Sequence, residues 1–573
     1  MSYVVGIDVG GTNTYGVLLK NNTVLTTAQA ATEHEDLHRG TTQVLAAILE
    51  AMPKSAVEEV ELHLSTTLTT NAIVEGKGLP TAAIVIPGPG LRCEDLGLKF
   101  KLFPVKGYID HRGREQAELD YGELREILNR IKESGYRAVA AVGKFSPRNL
   151  QHELEIEKLV AAEFPELLPV TLGHRLSGRL NFPRRITTAV LNASIAQIQA
   201  EFIRMVQEVK DRYRLDRVYL LKADGGSVDL EASLHRPIET ILSGPAASLM
   251  GALALSRARA REEIENAVVV DIGGTTTEIS LFYRGEPLAE RDGAVIAGHA
   301  TLVPALFSRS IGLGGDSAVD YDGREITIGP RREGPAAALG GPRLTPTDAV
   351  VALGAANICE KERAWRALEE VGAPFGIDPL ALAERIVAAF AQKAAAAIDD
   401  IYAALNRRPV YTVSQVLAAE HLEPDLIIGM GGPAGFFIPK IAQQLKLPSR
   451  ILPHHEAANA IGAAASRPTV SVTLRADTAL GQLVIPELDY TAAIPRPFFF
   501  DLAAARREAI AGAISYAQRM GTEVTPEEIE ITGEEVFNMV RGFRTIGKQY
   551  TLTAQVKPKV RRVFGRQNIA GKN

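Results

Sequence analysis

Two stretches of this chain share one short motif. "YVVGIDVGGTNTYGVLL" begins at Tyr3 and "AVVVDIGGTTTEISLFY" at Ala267. Each has an apolar run, one aspartate (Asp8 or Asp271), a Gly-Gly-Thr turn and a second β-rich run. The segment after each turn constrains the fold. A phosphate-binding P-loop needs G-x-x-x-x-G-K-[ST] running into a helix, and a dinucleotide fingerprint also needs a helix directly after its glycines. Here the turns run into "TYGVLLK" and "TEISLFY", so both are predicted to be β-hairpins. Paired glycines let backbone N–H groups approach phosphate oxygens without a Cβ in the way. Thr12, Asn13, Thr275 and Thr276 add side-chain donors beside Gly10, Gly11, Gly273 and Gly274. An aspartate repels phosphate; its natural partner is hydrated Mg²⁺, which binds carboxylates, water and phosphate together. Two such hairpins face to face would clamp a polyphosphate and its metal from both sides.

The bulk composition limits the alternatives. At 573 residues the chain exceeds one ordinary core, and two to four domains are expected. A net charge of −5 argues against a dedicated nucleic-acid surface, although the C-terminal "VKPKVRRVFGRQNIAGKN" is basic. No apolar run approaches the roughly 18–20 residues that span a bilayer, and no signal peptide is read at the N-terminus. The expectation is a cytoplasmic protein that binds neither membrane nor nucleic acid. Cys93 and Cys359 lack partners at metal-ligand spacing, which speaks against a cysteine-built zinc or iron–sulfur site.

The first ~180 residues alternate strand and helix patterns, predicting a layered α/β sheet. The first meander breaks at Asn21-Asn22. A long helix from about 185 leads to "DRVYLLKADGG", and a small-residue helix, "AASLMGALALSRARA", follows Ser243-Gly-Pro. Gly, Pro and Arg crowd residues 310–345, read as loops, and helices dominate 346–408. "LIIGMGGPAGFFIPKIAQQL" returns to strand, glycine turn and helix, and "EAANAIGAAAS" is a second small-residue helix. The last ~100 residues hold strands and one strong helix, "DLAAARREAIAGAISYAQRMG".

Paired phosphate hairpins, a later Gly-Gly-Pro turn and two small-residue helices resemble the ATPases of the actin, sugar-kinase and heat-shock-chaperone fold. The resemblance implies two actin-like (ribonuclease H-like) α/β lobes around a nucleotide cleft, with a small C-terminal α+β extension. The expected divisions are 1–178, 179–470 and 471–573. "STTLTTNAIVEGKG", "SGRLNFPRRITTAVLNAS", "KADGGSVDLEASLHRPIETILSGPAAS", "SIGLGGDSAV" and "TPTDAVVALG" occur in order and together resemble the hydantoinase A/oxoprolinase family. The chain departs from that pattern at Leu64, where the family usually has histidine (His63 is adjacent). It departs again at Gly-Gly-Asp 314–316 and in a shortened "GPAAALGGPRL".

The resemblance implies ATP and Mg²⁺ as cofactors, with Asp8 and Asp271 as catalytic metal ligands. Gly10, Gly11, Thr12, Asn13, Gly273, Gly274, Thr275 and Thr276 would hold phosphates, and Gly431, Gly432 and Pro433 adenosine. Thr66, Thr67, Asn71 and Asp224 are the substrate-side candidates. Arg184 and Arg185 are candidates for an anionic group, and His174, Asp316 and Asp348 for a metal or base. His454-His455-Glu456 reads as an exposed cap rather than a metal site. Family members use ATP to open small cyclic amides, such as hydantoins, 5-oxoproline or lactams, by phosphorylating the carbonyl oxygen. Others activate small ketones for carboxylation. A small-molecule kinase and a nucleotide-switched, non-catalytic ATPase are the alternatives. A separate B-type polypeptide is the expected partner, because only about 100 residues follow the second small-residue helix; a homo-oligomer is also expected.

Overall fold

The computed structural model describes residues 3–32, 37–52, 60–256, 265–290, 292–354, 360–407 and 421–564; Cys359 and the basic tail beyond 564 lie outside these described residues. β-Branched and apolar residues make Tyr3–Val9 (β1), Asn13–Lys20 (β2) and Thr23–Ala31 (β3) a meander. Asn21 and Asn22 turn β2 into β3 at φ 49° and 64°, a left-handed pair that asparagine tolerates and tight hairpins favour. Val60–Thr66 (β4) then runs parallel to β1.

The chain leaves this sheet after β4 and builds a second one before returning. Thr81–Ile86 (β5), Leu102–Pro104 (β6), Ala138–Gly143 (β7) and Val170–Leu172 (β8) form a parallel sheet in the order 8-7-5-6. β5 and β7 are buried throughout, as expected of strands covered on both faces. A long helix, Phe182–Tyr213 (α1), carries the chain back, and its N-terminus is capped by the Asn181 side chain accepting from Arg184 N. Arg217–Leu221 (β9) and Ser227–Asp229 (β10) complete the first sheet, ordered 10-9-4-1-2-3. The first sheet therefore draws two strands from beyond residue 178. Periodicity alone does not reveal this return, because an inserted unit and a new lobe both begin as alternating strand and helix.

Ser243–Ser256 (α2) crosses to a second sheet that repeats the first. Ala267–Ile272 (β11) and Thr277–Tyr283 (β12) form its hairpin; Leu426–Met430 (β15) and Ser449–Ile451 (β16) extend it in parallel. The short strands Glu286–Pro287 (β13) and Ser308–Ile311 (β14) pair with β12. In both sheets an antiparallel hairpin is followed by two parallel strands on its first strand's side.

Ala458–Ala465 (α3) packs directly on α2. A Cβ on Gly251 would collide with the Ala458 carbonyl, and one on Gly462 with the Ala247 carbonyl. Only small residues let the two backbones approach this closely.

The C-terminal part forms an antiparallel sheet from Ser471–Asp477 (β17), Gln482–Ile485 (β18), Tyr490–Ala493 (β19), Ile529–Arg541 (β20) and Arg544–Val556 (β21), with helix Leu502–Arg519 (α4) against it. Its core is continuous with the first sheet: Val5, Ile7 and Leu62 share one cluster with Val472, Leu474, Ala513 and Tyr550. Among the described residues no helix is long and apolar enough to cross a membrane.

Candidate active site

The two hairpin turns are built alike. Gly10 N donates to Asn13 O at 3.1 Å and Gly273 N to Thr276 O at 2.9 Å. Asp8 pairs with Tyr15, and Asp271 with Glu278, at the same step before each turn. The turns also face each other, since a Cβ on Gly274 would lie 3.3 Å from Thr12 Oγ1 and 2.7 Å from Asp316 Oδ2.

Asp8 is buried between the lobes, and Asp271 beside it is half-buried. Asp8 is 5 % exposed, and its Oδ1 has no hydrogen-bond partner. Burial pushes its carboxyl up to about 6; Ser65 and Asn459 pull it down, and the charge of Asp271 adds to the rise. Burial also raises Asp271, opposed by Asn459 and Ser248 and by the positive field of His455. Two carboxylates that repel each other, one with an orphaned buried oxygen, suit a hard divalent cation that keeps most of its other ligands as water and phosphate. Among the described residues no group of three or more His, Cys, Asp or Glu side chains forms a metal cage.

Around the second hairpin the glycine segments gather. Gly315 N donates to Gly273 O at 2.9 Å and Asp316 N to Gly274 O at 2.7 Å. Gly431 adopts φ +88° against Asp271, where a Cβ would lie 2.8 Å from Oδ1. His455 and Gly431 are tied twice: Gly431 N donates to His455 O at 3.1 Å, and His455 Nδ1 lies 2.9 Å from Gly431 O. Gly11 and Gly432 differ from these. No atom lies within 4 Å of where their Cβ would be, and neither has a positive φ. Their lack of a side chain leaves backbone bare toward open space.

The substrate-side candidates divide into two groups. Thr66 is locked to the start of α2: its N–H donates to Ser243 Oγ at 3.2 Å, and that hydroxyl donates to Thr66 O at 2.8 Å. Asn71 Nδ2 donates to Thr67 Oγ1 at 3.3 Å on the helix Leu68–Val74, and both side chains are half-buried. Asp224 sits apart, in the β9–β10 turn, accepting from Gly226 N at 2.9 Å and from Thr469 Oγ1 at 2.8 Å.

Several other candidates have structural roles. Asp348 closes a capping box with Thr345, and its oxygens also accept from Ala337 N and Ala338 N. His174 is fully buried between Glu153 at 2.6 Å and Asp489 at 2.8 Å, joining the inserted sheet to the C-terminal part. Arg185 donates to the carbonyls of Arg179, Gly143 and Lys144, and Arg184 to those of Asp292 and Thr301. Asp316 remains at the second hairpin, paired with Arg332 at 3.3 Å. His63 cannot stand in for a histidine at 64. It lies opposite Gly6 with its ring against Tyr219, whereas Leu64 points into the core on the other face of β4.

Asn459 and Ser65 escape sequence reasoning. Asn459 is the one amide in the Ala/Gly run of α3, and that isolated polarity is its only signal. Ser65 is in register with Asp8 on the neighbouring strand, a pairing visible only once β4 is placed beside β1.

Known proteins share this outline. The hydantoinase/oxoprolinase family matches residues 185–472, and the hydantoinase/oxoprolinase N-terminal region matches 4–164. The chain belongs to the hydantoinase/oxoprolinase family. The caprolactamase subunit alpha of Pseudomonas jessenii is 24 % identical over 480 residues, 77 % of this chain and 67 % of the relative. The acetophenone carboxylase gamma subunit of Aromatoleum aromaticum is 27 % identical over 305 residues, covering 49 % of this chain and only 41 % of that relative. Two solved structures share the fold at TM-score 0.68. They are the ATP-dependent caprolactamase from Pseudomonas jessenii (19 % identity, 98 % of this chain, 88 % of that one) and a nucleotide-free acetone carboxylase (16 %, 97 % and 88 %). The family's two-lobed α/β architecture with paired hairpins is thus the fold of this chain.

Proposed function

We propose that this chain is an ATP- and Mg²⁺-dependent subunit that activates a small cyclic amide for ring opening. The observation that carries the reading is the pair of facing Asp-x-Gly-Gly-Thr hairpins, with Asp8 buried and Asp271 half-buried between them. Family membership and the ATP-dependent caprolactamase among its relatives support the choice of substrate.

In this reading Asp8 and Asp271 hold Mg²⁺, which when bound would neutralise charge on the phosphates. Asn459, reaching both carboxyls, keeps them oriented. The backbone amides and threonine hydroxyls of 10–13 and 273–276 bind phosphate oxygens, and Gly431, Gly432 and Pro433 lie along adenosine. Amide resonance, visible as a rotational barrier of roughly 18–20 kcal/mol, is what protects the substrate from water. The carbonyl oxygen takes the terminal phosphoryl group as the bond to the leaving ADP oxygen breaks. Water then adds to the carbon, the nitrogen takes up a proton and leaves as the C–N bond breaks, and a second water cleaves the resulting acyl phosphate to a carboxylate and free phosphate. The protein's contribution is positioning and charge stabilisation. Thr66, Thr67, Asn71 and Asp224 are assigned to the substrate side. A second polypeptide completes the enzyme, as the word "subunit" in the names of both relatives suggests.

A second reading, activation of a small ketone for carboxylation, is favoured by the acetone and acetophenone carboxylase relatives. A phosphate-release assay separates the readings, using hydantoin, 5-oxoproline, lactams and ketones, with and without the product of the neighbouring open reading frame. Ring-opened acid plus free phosphate is expected. Phosphate retained on the product would mean a kinase, bicarbonate-dependent turnover of ketones a carboxylase, and lobe closure without any turnover a nucleotide switch.

A further inference from the structure

The C-terminal sheet ends in a ribbon that the rest of the chain leaves bare. β20 and β21 are 13 residues each, about twice an ordinary strand. The ladder from β17 stops at Gln549, which lies opposite Phe537, so beyond that row the hairpin has only its own two strands. Residues 534–538 and 540–546 are all exposed. Side chains alternate between faces, so consecutive exposure means that neither face is covered. Yet much of the bare stretch is apolar. Val536, Phe537 and Val540 are 42 %, 58 % and 59 % exposed, and Phe543 stands fully out at the turn. A two-stranded ribbon of this kind is marginal in water unless something packs on it.

β20 is also the last strand of its sheet, and among the described residues no strand or bridge lies on its outer edge. Edges are ordinarily protected by brevity, proline or lysine. β20 is long and contains neither residue. Its own bulge falls at Thr532, and the other irregularity places its extra residue, Ile546, on β21. The segment 533–541 therefore keeps an unbroken strand alternation on the open side.

This edge is complementary to a reversed copy of itself. When a two-fold axis normal to the sheet relates identical antiparallel strands, residues of one face meet only if the axis residue opposes itself. With the axis at Asn538, Phe537 meets Met539, Val536 meets Val540, and Glu535 meets Arg541. Each apolar residue then has an apolar partner, the two Asn538 amides face each other, and the ends close as opposite charges, each pair made twice. An axis at Phe537 would instead set Glu535 against Met539 and Glu534 against Val540. An axis at Met539 would set Phe537 against Arg541 and Asn538 against Val540. One register is singled out. In it Ile529 of each copy lies beyond the other's turn at Gly542, so the ribbons overlap and the bodies do not. Glu534 and Glu530 are already paired within the chain, with Arg506 at 2.8 Å and Lys557 at 2.6 Å. Glu535 shares a row with Thr551 and Arg475 of its own sheet, and both it and Arg541 stay exposed.

We infer that β20 is a homodimer interface: a second copy of this chain pairs with it antiparallel about Asn538, joining the two C-terminal sheets into one. The association is separate from the nucleotide chemistry and does not depend on the substrate. Sedimentation velocity of the full chain over the micromolar range should show a reversible monomer–dimer equilibrium. Arg541→Glu and Glu535→Arg each replace two attractive pairs by two repulsive ones, and each should weaken dimerisation about tenfold. Combining them restores opposite charges and should restore the dimer. Asn538→Cys places two thiols on residues whose Cα atoms are about 4.5–5.5 Å apart, within disulfide reach, so mild oxidation should give a covalent dimer. Val540→Cys, which faces Val536, should not cross-link in this way. All four positions are exposed, and an unchanged unfolding midpoint verifies that each variant folds. A monomer throughout the range, a dimer indifferent to charge reversal, no recovery in the double variant, or cross-linking at 540 as readily as at 538 would each overturn the inference. A different polypeptide or a lipid surface taking up the ribbon of a chain that stays monomeric would overturn it equally.

Discussion

Asp8→Asn should make the protein more stable and inactive at once. Burial and the neighbouring Asp271 raise the Asp8 carboxyl from 3.8 to about 6. Each tenfold in the proton equilibrium is about 1.4 kcal/mol, so the ionised Asp8 costs the ligand-free fold about 3 kcal/mol. The sign depends on where protons sit. Below 3.8 both folded and unfolded forms hold the proton, and no cost exists. Between 3.8 and 6 the unfolded chain releases it while the folded one keeps it, so stability falls as pH rises. Above 6 the whole cost is present. Asparagine has nearly the same shape and no charge. At about pH 8, without metal or nucleotide, the variant should gain about 3 kcal/mol, roughly 5–10 °C in the unfolding midpoint of a lobe-sized unit. Near about pH 4 the gap should close. Scanning calorimetry at the two pH values, with chelator present, measures both. Mg²⁺ with nucleotide should then stabilise the wild type and not the variant, and turnover should be lost. A variant no more stable at the higher pH, or a gap independent of pH, would refute the reasoning that Asp8 is a charge kept in a dry site for a cation.

Two further outcomes test the glycines. Gly251→Ala places a methyl group against the Ala458 carbonyl on a helix backbone that cannot swing aside; a loss of about 1–3 kcal/mol or more is expected, read as a lowered unfolding midpoint or insoluble protein, and wild-type stability would contradict the packed crossing. A Cβ on Gly432 would meet nothing within 4 Å, so in Gly432→Ala the unfolding midpoint should hold while ADP affinity falls by titration; unchanged affinity would remove the 431–433 turn from the adenosine site.

The hairpins are legible in the sequence because their information is local. An apolar run, an aspartate, two glycines and a β-rich continuation identify a hairpin wherever it lies, and repetition supplies the idea of a clamp. The Asn21-Asn22 turn and the small-residue helices are readable for the same reason: backbone conformation and close approach leave a mark on residue type. Asp348, His174 and Arg185 read as reactive groups because a sequence shows a titratable side chain without its partners. Their roles as cap, buried link and carbonyl anchor depend on groups supplied by the fold.

Local residue pattern by itself determined the two Asp-x-Gly-Gly-Thr hairpins, the strand and helix alphabet around them and the small-residue crossing. Tertiary structure decided which strands share a sheet, so that β9 and β10 return to the first one across an inserted unit. It also decided that Asn459, far along the chain, reaches both Asp8 and Asp271. A hairpin is specified by neighbours in sequence, whereas a buried carboxylate such as Asp8, set beside a second one, exists only when distant segments exclude water together.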